Sequence, residues 1–114
     1  MENGMISGIQ LLEQFFALEN ERRWDDYAIY LAENVEWILY ENGKQIAISG
    51  KNEYLKRIKQ AYIGVETRFE ARNITEYKKQ NRIITLLENS NGDMSIDIFE
   101  IKDGKIIKEW EYIP

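Results

Sequence analysis

The chain is 114 residues long, enough for one domain that buries a single core without cross-links, and its balance of 44% hydrophobic and 31% charged residues reads as globular. It contains neither cysteine nor histidine, which excludes disulfides, thiolate chemistry and every Ser-His or Cys-His mechanism, and leaves only oxygen ligands for any metal. A net charge of −5, with no basic stripe, argues against nucleic acid as a partner, and no apolar run approaches the roughly 20 residues that cross a bilayer.

Met1 to Gly8 lacks the basic and apolar regions of a signal peptide, so a cytoplasmic location is expected. From Ile6 to Glu19, Ile9, Leu12 and Phe16 recur at helical spacing beside Leu11, Phe15 and Leu18, which predicts an amphipathic helix with a wide buried face. Trp24-Asp25 opens a second helix, with Asp25 as its cap and Trp24 stapled onto Ile29; Tyr27, Ala28, Tyr30 and Leu31 form its packing surface. Val35 to Tyr40 and Gln45 to Ile48 read as two strands around an Asn42-Gly43 turn. Lys51 to Ile63 carries Tyr54, Leu55, Ile58, Ala61 and Tyr62 at helical spacing and ends at Gly64, a residue that takes a left-handed terminus freely.

Beyond Val65 the period becomes two. Val65, Thr67, Phe69 and Ala71 alternate with charged residues, a strand with one wet face. Arg82 to Glu88 is apolar on both parities, a strand covered on both sides, and Asn91-Gly92 turns the chain into a last hairpin. In that hairpin a two-residue Asp103-Gly104 turn pairs Asp97 with Trp110, whereas a three-residue Lys102-Asp103-Gly104 loop pairs Asp97 with Glu109. The choice decides the face of each residue in the last strand. Helices and strands in separate blocks predict an α+β domain, its helices on one side of an antiparallel sheet. No repeat, linker, EF-hand spacing or cofactor motif interrupts it, so one domain over 1–114 with no metal and no cofactor is expected.

Trp24-Asp25, Leu31-Ala32-Glu33-Asn34-Val35-Glu36-Trp37, Ser49-Gly50-Lys51, Ile98 to Ile106 and Glu111-Tyr112 follow one another in an order that resembles the nuclear transport factor 2-like superfamily, in its SnoaL-like and ketosteroid isomerase-like branch. The resemblance spans about Ile6 to Ile113. It implies a cone-shaped curved sheet of about six strands wrapped around three helices, a cystatin-like roll, with a small-molecule pocket and a homodimer through the outer sheet face. It also favours the three-residue loop, which puts Ser95, Asp97, Phe99, Ile107, Glu109, Glu111 and Ile113 on the cavity face. Met94, Ile96, Ile98, Ile106, Trp110 and Tyr112 then form an outer apolar patch.

Position by position, the resemblance removes most known chemistry. The tyrosine and base aspartate of the isomerases fall on Phe15 and Leu39, and only Asp97 matches their oxyanion aspartate. Limonene epoxide hydrolases place a carboxylate where Glu111 stands, but their arginine and second aspartate fall near Ile84 and Leu86. SnoaL-type cyclases lean on a histidine, which is missing.

Asp97, Glu109 and Glu111 are therefore the candidate acid-base residues of an otherwise apolar cavity. Its expected ligand-contacting walls are Phe15, Trp37, Leu39 and Tyr54, with Phe69, Leu86 and Phe99 and, by strand parity, Glu88; Val35 and Ile84 complete the lining. Carboxylates clustered in an apolar surround repel and lose hydration, so at least one keeps its proton to unusually high pH. Alternatively Glu88, Glu109 and Glu111 sit at a wet rim beside Arg68, Arg72 or Lys108, and Asp97 is satisfied inside the core by a tyrosine or an arginine. Three functions are compatible with these residues: binding of a small, partly apolar, neutral or cationic molecule; acid-base catalysis through Asp97 with Glu109 or Glu111; and a non-catalytic partner-binding domain.

Overall fold

The computed structural model describes residues 6–114; the first five residues of the polar start lie outside it. The first helix, α1, runs Gly8–Asn20 and begins in a capping box: the Gln10 amide donates to Ser7 Oγ and the Ser7 amide to Gln10 Oε1, each at 3.1 Å. Leu11, Leu12, Phe15 and Phe16 form its buried stripe. The second helix, α2, is only Trp24–Ala28, and its cap is Arg23 rather than Asp25. Asp25 instead lies in the first turn, where negative charge favours the exposed amides. Ile29 is 59% exposed, so Trp24 does not staple onto it; the indole packs on Tyr27 and Tyr62, with ring centroids 5.2 and 5.5 Å away. Leu31, expected on that helix, already belongs to the first strand.

Six strands follow: β1 Leu31–Glu41, β2 Lys44–Ser49, then after α3 (Lys51–Ala61) β3 Phe69–Tyr77, β4 Arg82–Asn89, β5 Met94–Lys102 and β6 Lys105–Ile113. They form one curved, open sheet in the order β2-β1-β6-β5-β4-β3. The neighbours β1 and β6 are parallel, so the sheet is mixed rather than wholly antiparallel. A core of Leu11, Leu12, Phe15, Val35, Tyr54, Phe99 and Ile106 lies between helices and sheet.

Three local features correct the alternation read from the sequence. First, β3 starts at Phe69, not Val65, because the Arg22 guanidinium takes the carbonyls of Val65 and Thr67 at 2.8 and 2.9 Å and holds that segment off the sheet. A bulge after Ala71 then lets Phe69 and Ile74 both pack inward.

Second, the β4–β5 turn is a three-residue loop, Ser90-Asn91-Gly92, closed by Asn89: its amide donates to Asp93 O at 2.9 Å and its side chain accepts from the amides of Asn91 and Asp93. Thr85 therefore pairs with Asp97 and Leu87 with Ser95. A two-residue Asn91-Gly92 turn would have paired Leu86 with Asp97. The extra residue turns Ile84, Leu86 and Glu88 to the outer face, against the expectation that they line the cavity, and buries Ile83, Thr85 and Leu87.

Third, the last hairpin combines the two alternatives. Its turn is the two-residue Asp103-Gly104, both at positive φ (52° and 74°), and Lys102 pairs with Lys105. Beyond the next pair, Ile101 with Ile106, Ile107 bulges, so Asp97 pairs with Glu111 and Ile98 with Trp110, neither of the pairings expected. Asp97, Glu109 and Glu111 share a face as expected, but Ile106 is fully buried rather than outward.

Candidate active site and binding pocket

A cavity of about 360 Å³ opens between the helices and the inner face of the sheet. Its apolar wall includes Phe15, Trp37, Leu39, Phe69 and Phe99, together with the ring of Tyr54, all where the sequence put them. Leu86 and Glu88 are not part of it. Glu88 lies outside, accepting from Arg72 Nε at 2.8 Å, and Leu87 takes the inward place on β4. Val35 is fully buried in the core, beneath the cavity residues.

Asp97, Glu109 and Glu111 converge on this cavity from the adjacent strands β5 and β6, and one carboxyl oxygen from each lies within 4.8 Å of the others. Asp97 and Glu109 are each only 4% exposed, which removes the wet-rim alternative for Glu109; Glu111 is half-buried. Of the cations expected beside them, Lys108 faces Glu36 at 3.8 Å and Arg72 faces Glu88 at 2.8 Å, while Arg68 stands on the cavity wall. Their partners are neutral. Ser95 Oγ donates to Asp97 Oδ1 at 2.7 Å, Trp37 Nε1 donates to Glu111 Oε1 at 3.1 Å, and the Tyr54 hydroxyl donates to Glu109 Oε1. The carboxyl groups of Glu109 and Asp97 also meet within this cluster, an oxygen of each within 4.8 Å of the other.

Burial is the main force on their protonation. It holds the Glu109 carboxyl well above the ordinary carboxylate range, with repulsion from Asp97 and Glu111 adding to it. It likewise raises Asp97, partly offset by Glu109 and by the bond from Ser95, and pushes Glu111 up to about 9. The cluster can thus both donate and accept protons near neutral pH. Three converging carboxyls could also ligate an oxygen-seeking cation. Their retained protons oppose that use.

Glu19, Tyr27 and Tyr62 also line the cavity and were not assigned to it from the sequence, which marked the two tyrosines only as helix packing. Glu19 Oε1 accepts from Tyr27 at 2.9 Å and Oε2 from Tyr62 at 2.6 Å, and burial pushes this carboxyl up to about 7 despite those bonds. One signal was available. Glu19 continues the stripe Leu12-Phe15-Phe16 at the next helical step, a carboxylate on the buried face of α1.

No family model matches the sequence, and none of the curated proteins does. Solved structures do match the fold. A candidate ketosteroid isomerase from Kribbella flavida is 22% identical with a TM-score of 0.74, over 92% of this chain and 76% of its own. The epoxide hydrolase/cyclase-like enzyme SalBIII, of pyran ring formation in salinomycin, is 15% identical at 0.76, over 92% and 88%. A SnoaL-like protein of unknown function from Burkholderia thailandensis is 13% identical at 0.81, over 96% and 99%. The chain carries the fold of the nuclear transport factor 2-like superfamily, in the form shared by these isomerase-like and SnoaL-like proteins.

Proposed function

We propose that this domain binds a small, partly apolar, neutral or cationic molecule in the cavity between helices and sheet. The observation that carries the reading is the cavity's composition: aromatic walls around Asp97, Glu109 and Glu111, which outside their own cluster are hydrogen-bonded by the uncharged Ser95, Tyr54 and Trp37. Protonated carboxyls offer O–H donors to a neutral ligand's oxygen, and the ionised one attracts a cation. An anion gains nothing there. Native mass spectrometry of the protein as purified tests this: extra mass retained per subunit supports the reading, and its removal by Trp37→Ala or Leu39→Trp places the molecule in the cavity.

Acid-base catalysis is the second reading, favoured by the convergence of the Glu109 and Asp97 carboxyls, with oxygens within 4.8 Å of one another beside an apolar cavity. The isomerase and hydrolase/cyclase descriptions of the similar structures fit it. Asp97→Asn separates the two: turnover is abolished if Asp97 is catalytic, and affinity alone changes if the pocket only binds. A third reading, a partner-binding domain without a ligand, would require side chains to fill the cavity in solution.

We further propose a homodimer through the outer sheet face, where Met94, Ile96 and Tyr112 are 40%, 44% and 40% exposed beside Ile98 and Trp110. No helix among the described residues is long and apolar enough to cross a membrane, and a cytoplasmic location is the proposal consistent with the sequence.

A further inference from the structure

Six side chains form a row through the cavity wall: Tyr62, Glu19, Tyr27, Tyr54, Glu109 and Asp97. Tyr62 Oη lies 2.6 Å from Glu19 Oε2, and Tyr27 Oη lies 2.9 Å from Glu19 Oε1. The hydroxyls of Tyr27 and Tyr54 are 3.4 Å apart, and either can donate. Tyr54 bonds Glu109, whose carboxyl oxygen lies within 4.8 Å of one on Asp97, and a proton shared between those two carboxyls makes the fifth link. Each of these five links needs one proton. The three phenols, kept neutral by burial, supply three. The remaining two must come from carboxyl groups. Three carboxyls holding two protons leave one negative charge.

We infer that Glu19 and Asp97 are the two ends of one proton-sharing chain, and that a single negative charge passes between them through Tyr27, Tyr54 and Glu109. With the phenols neutral, three arrangements satisfy every link: one holds the charge midway on Glu109, which then accepts from both Tyr54 and Asp97, and the other two hold it at the ends. In one of these two, Tyr62 donates to Glu19, Glu19 to Tyr27, Tyr27 to Tyr54, Tyr54 to Glu109 and Glu109 to Asp97, which bears the charge. In the other, Asp97 donates to Glu109, Glu109 to Tyr54, Tyr54 to Tyr27 and Tyr27 to Glu19, which bears the charge while Tyr62 still donates to it. Passing from the first to the second moves one proton's worth of charge along the row, from the Glu19 end to the Asp97 end. No proton is exchanged with water.

The groups around the row set which end is favoured. The Arg22 guanidinium stabilises charge on Glu19, and the Ser95 hydroxyl stabilises charge on Asp97. Glu111 lies beside the Asp97 end and is itself close enough to feel both Asp97 and Glu19; Glu41 adjoins Glu111, and Arg57 and Arg68 stand on the cavity wall. A cationic group arriving at Asp97 would draw the charge there and leave the proton on Glu19. That use rests on the binding reading above. The shared charge does not, and it can be measured with no ligand present.

Carbon-13 NMR titration of labelled Asp and Glu carboxyl groups in the full chain reads it directly. Asp97→Asn should drive the charge toward Glu19 and lower its titration midpoint by about one pH unit, a tenfold loss of proton affinity. Loss of Asp97's repulsion would act in the same direction, so the decisive variant adds Tyr54→Phe, which breaks the row without hydrogen-bonding Glu19. The chain predicts that most of the Glu19 shift then disappears. The mirror pair is Glu19→Gln, read at Asp97, with Tyr27→Phe added; it serves if the first pair does not fold. A Glu19 or Asp97 shift of the same size with and without the phenylalanine would overturn the inference, and a ligand-free cavity would leave these outcomes as stated.

Discussion

The Tyr54 hydroxyl donates to Glu109 Oε1 in a fully buried setting, with the Trp37 ring tilted against Tyr54 at 4.7 Å between centroids. A helix residue and a strand residue thus meet over a carboxyl that burial keeps protonated. Because Glu109, Asp97, Glu111 and Glu19 all have raised carboxyl pKa values, the folded state holds protons that the unfolded chain releases above its ordinary value of 4.5 for glutamate. Their contribution to stability is therefore complete below about 4.5 and is lost as pH rises toward the folded values, about 7 for Glu19 and about 9 for Glu111. Unfolding free energies from denaturant titrations should fall between pH 5 and pH 9, by up to about 1.4 kcal/mol per pH unit for each group still titrating. A stability that rises over that range would contradict the buried cluster.

Arg22 sits at φ 59°, and its guanidinium donates to the carbonyls of Glu19, Asn20, Val65 and Thr67 while lying 4.1 Å over the Tyr62 ring. Such a fork ties the end of α1 to the segment after α3. Arg22→Ala should cost about 2 kcal/mol in urea unfolding and speed proteolysis between Tyr62 and Arg68. Arg22→Lys should rescue little, since one ammonium cannot reproduce the planar fork.

On the outer face, Tyr112 stacks on Tyr40 with centroids 4.5 Å apart, while Arg82 and Lys108 lie over Trp110. Ile96 and Met94 have no such cover. Ile96→Lys should convert a dimer at micromolar concentration into a folded monomer by light scattering. A wild-type monomer under the same conditions would remove the dimer proposal.

Where one face of an element was apolar and the other polar, its placement could be read from the sequence. The stripe of α1, the Asn42-Gly43 turn and α3 ending before Gly64 fall where the pattern put them. The segment Ile83-Ile84-Thr85-Leu86-Leu87 is apolar on both parities and so carries no information about which side faces in. Its facing was set by one residue in the Ser90-Gly92 loop, through the Asn89 side chain. That is why Leu86 and Glu88 were assigned to the cavity and Leu87 was not. The bulge at Ile107 was equally invisible, yet it restored the parity of Glu109 and Glu111 that a plain Asp103-Gly104 turn would have reversed. Glu19 escaped notice because acidic residues on a helix are ordinarily solvated, and only the tertiary approach of Tyr27 and Tyr62 buries it.

Trp37 offers the most direct test of the central claim, since its indole N–H lies in the cavity wall and donates to Glu111. The measurement is an NMR titration of that N–H with benzylamine, phenol and benzoate in turn. The account predicts a saturable shift with the amine or the phenol and none with benzoate. An indole signal that ignores both, or that moves most with benzoate, would contradict a pocket built for neutral or cationic molecules.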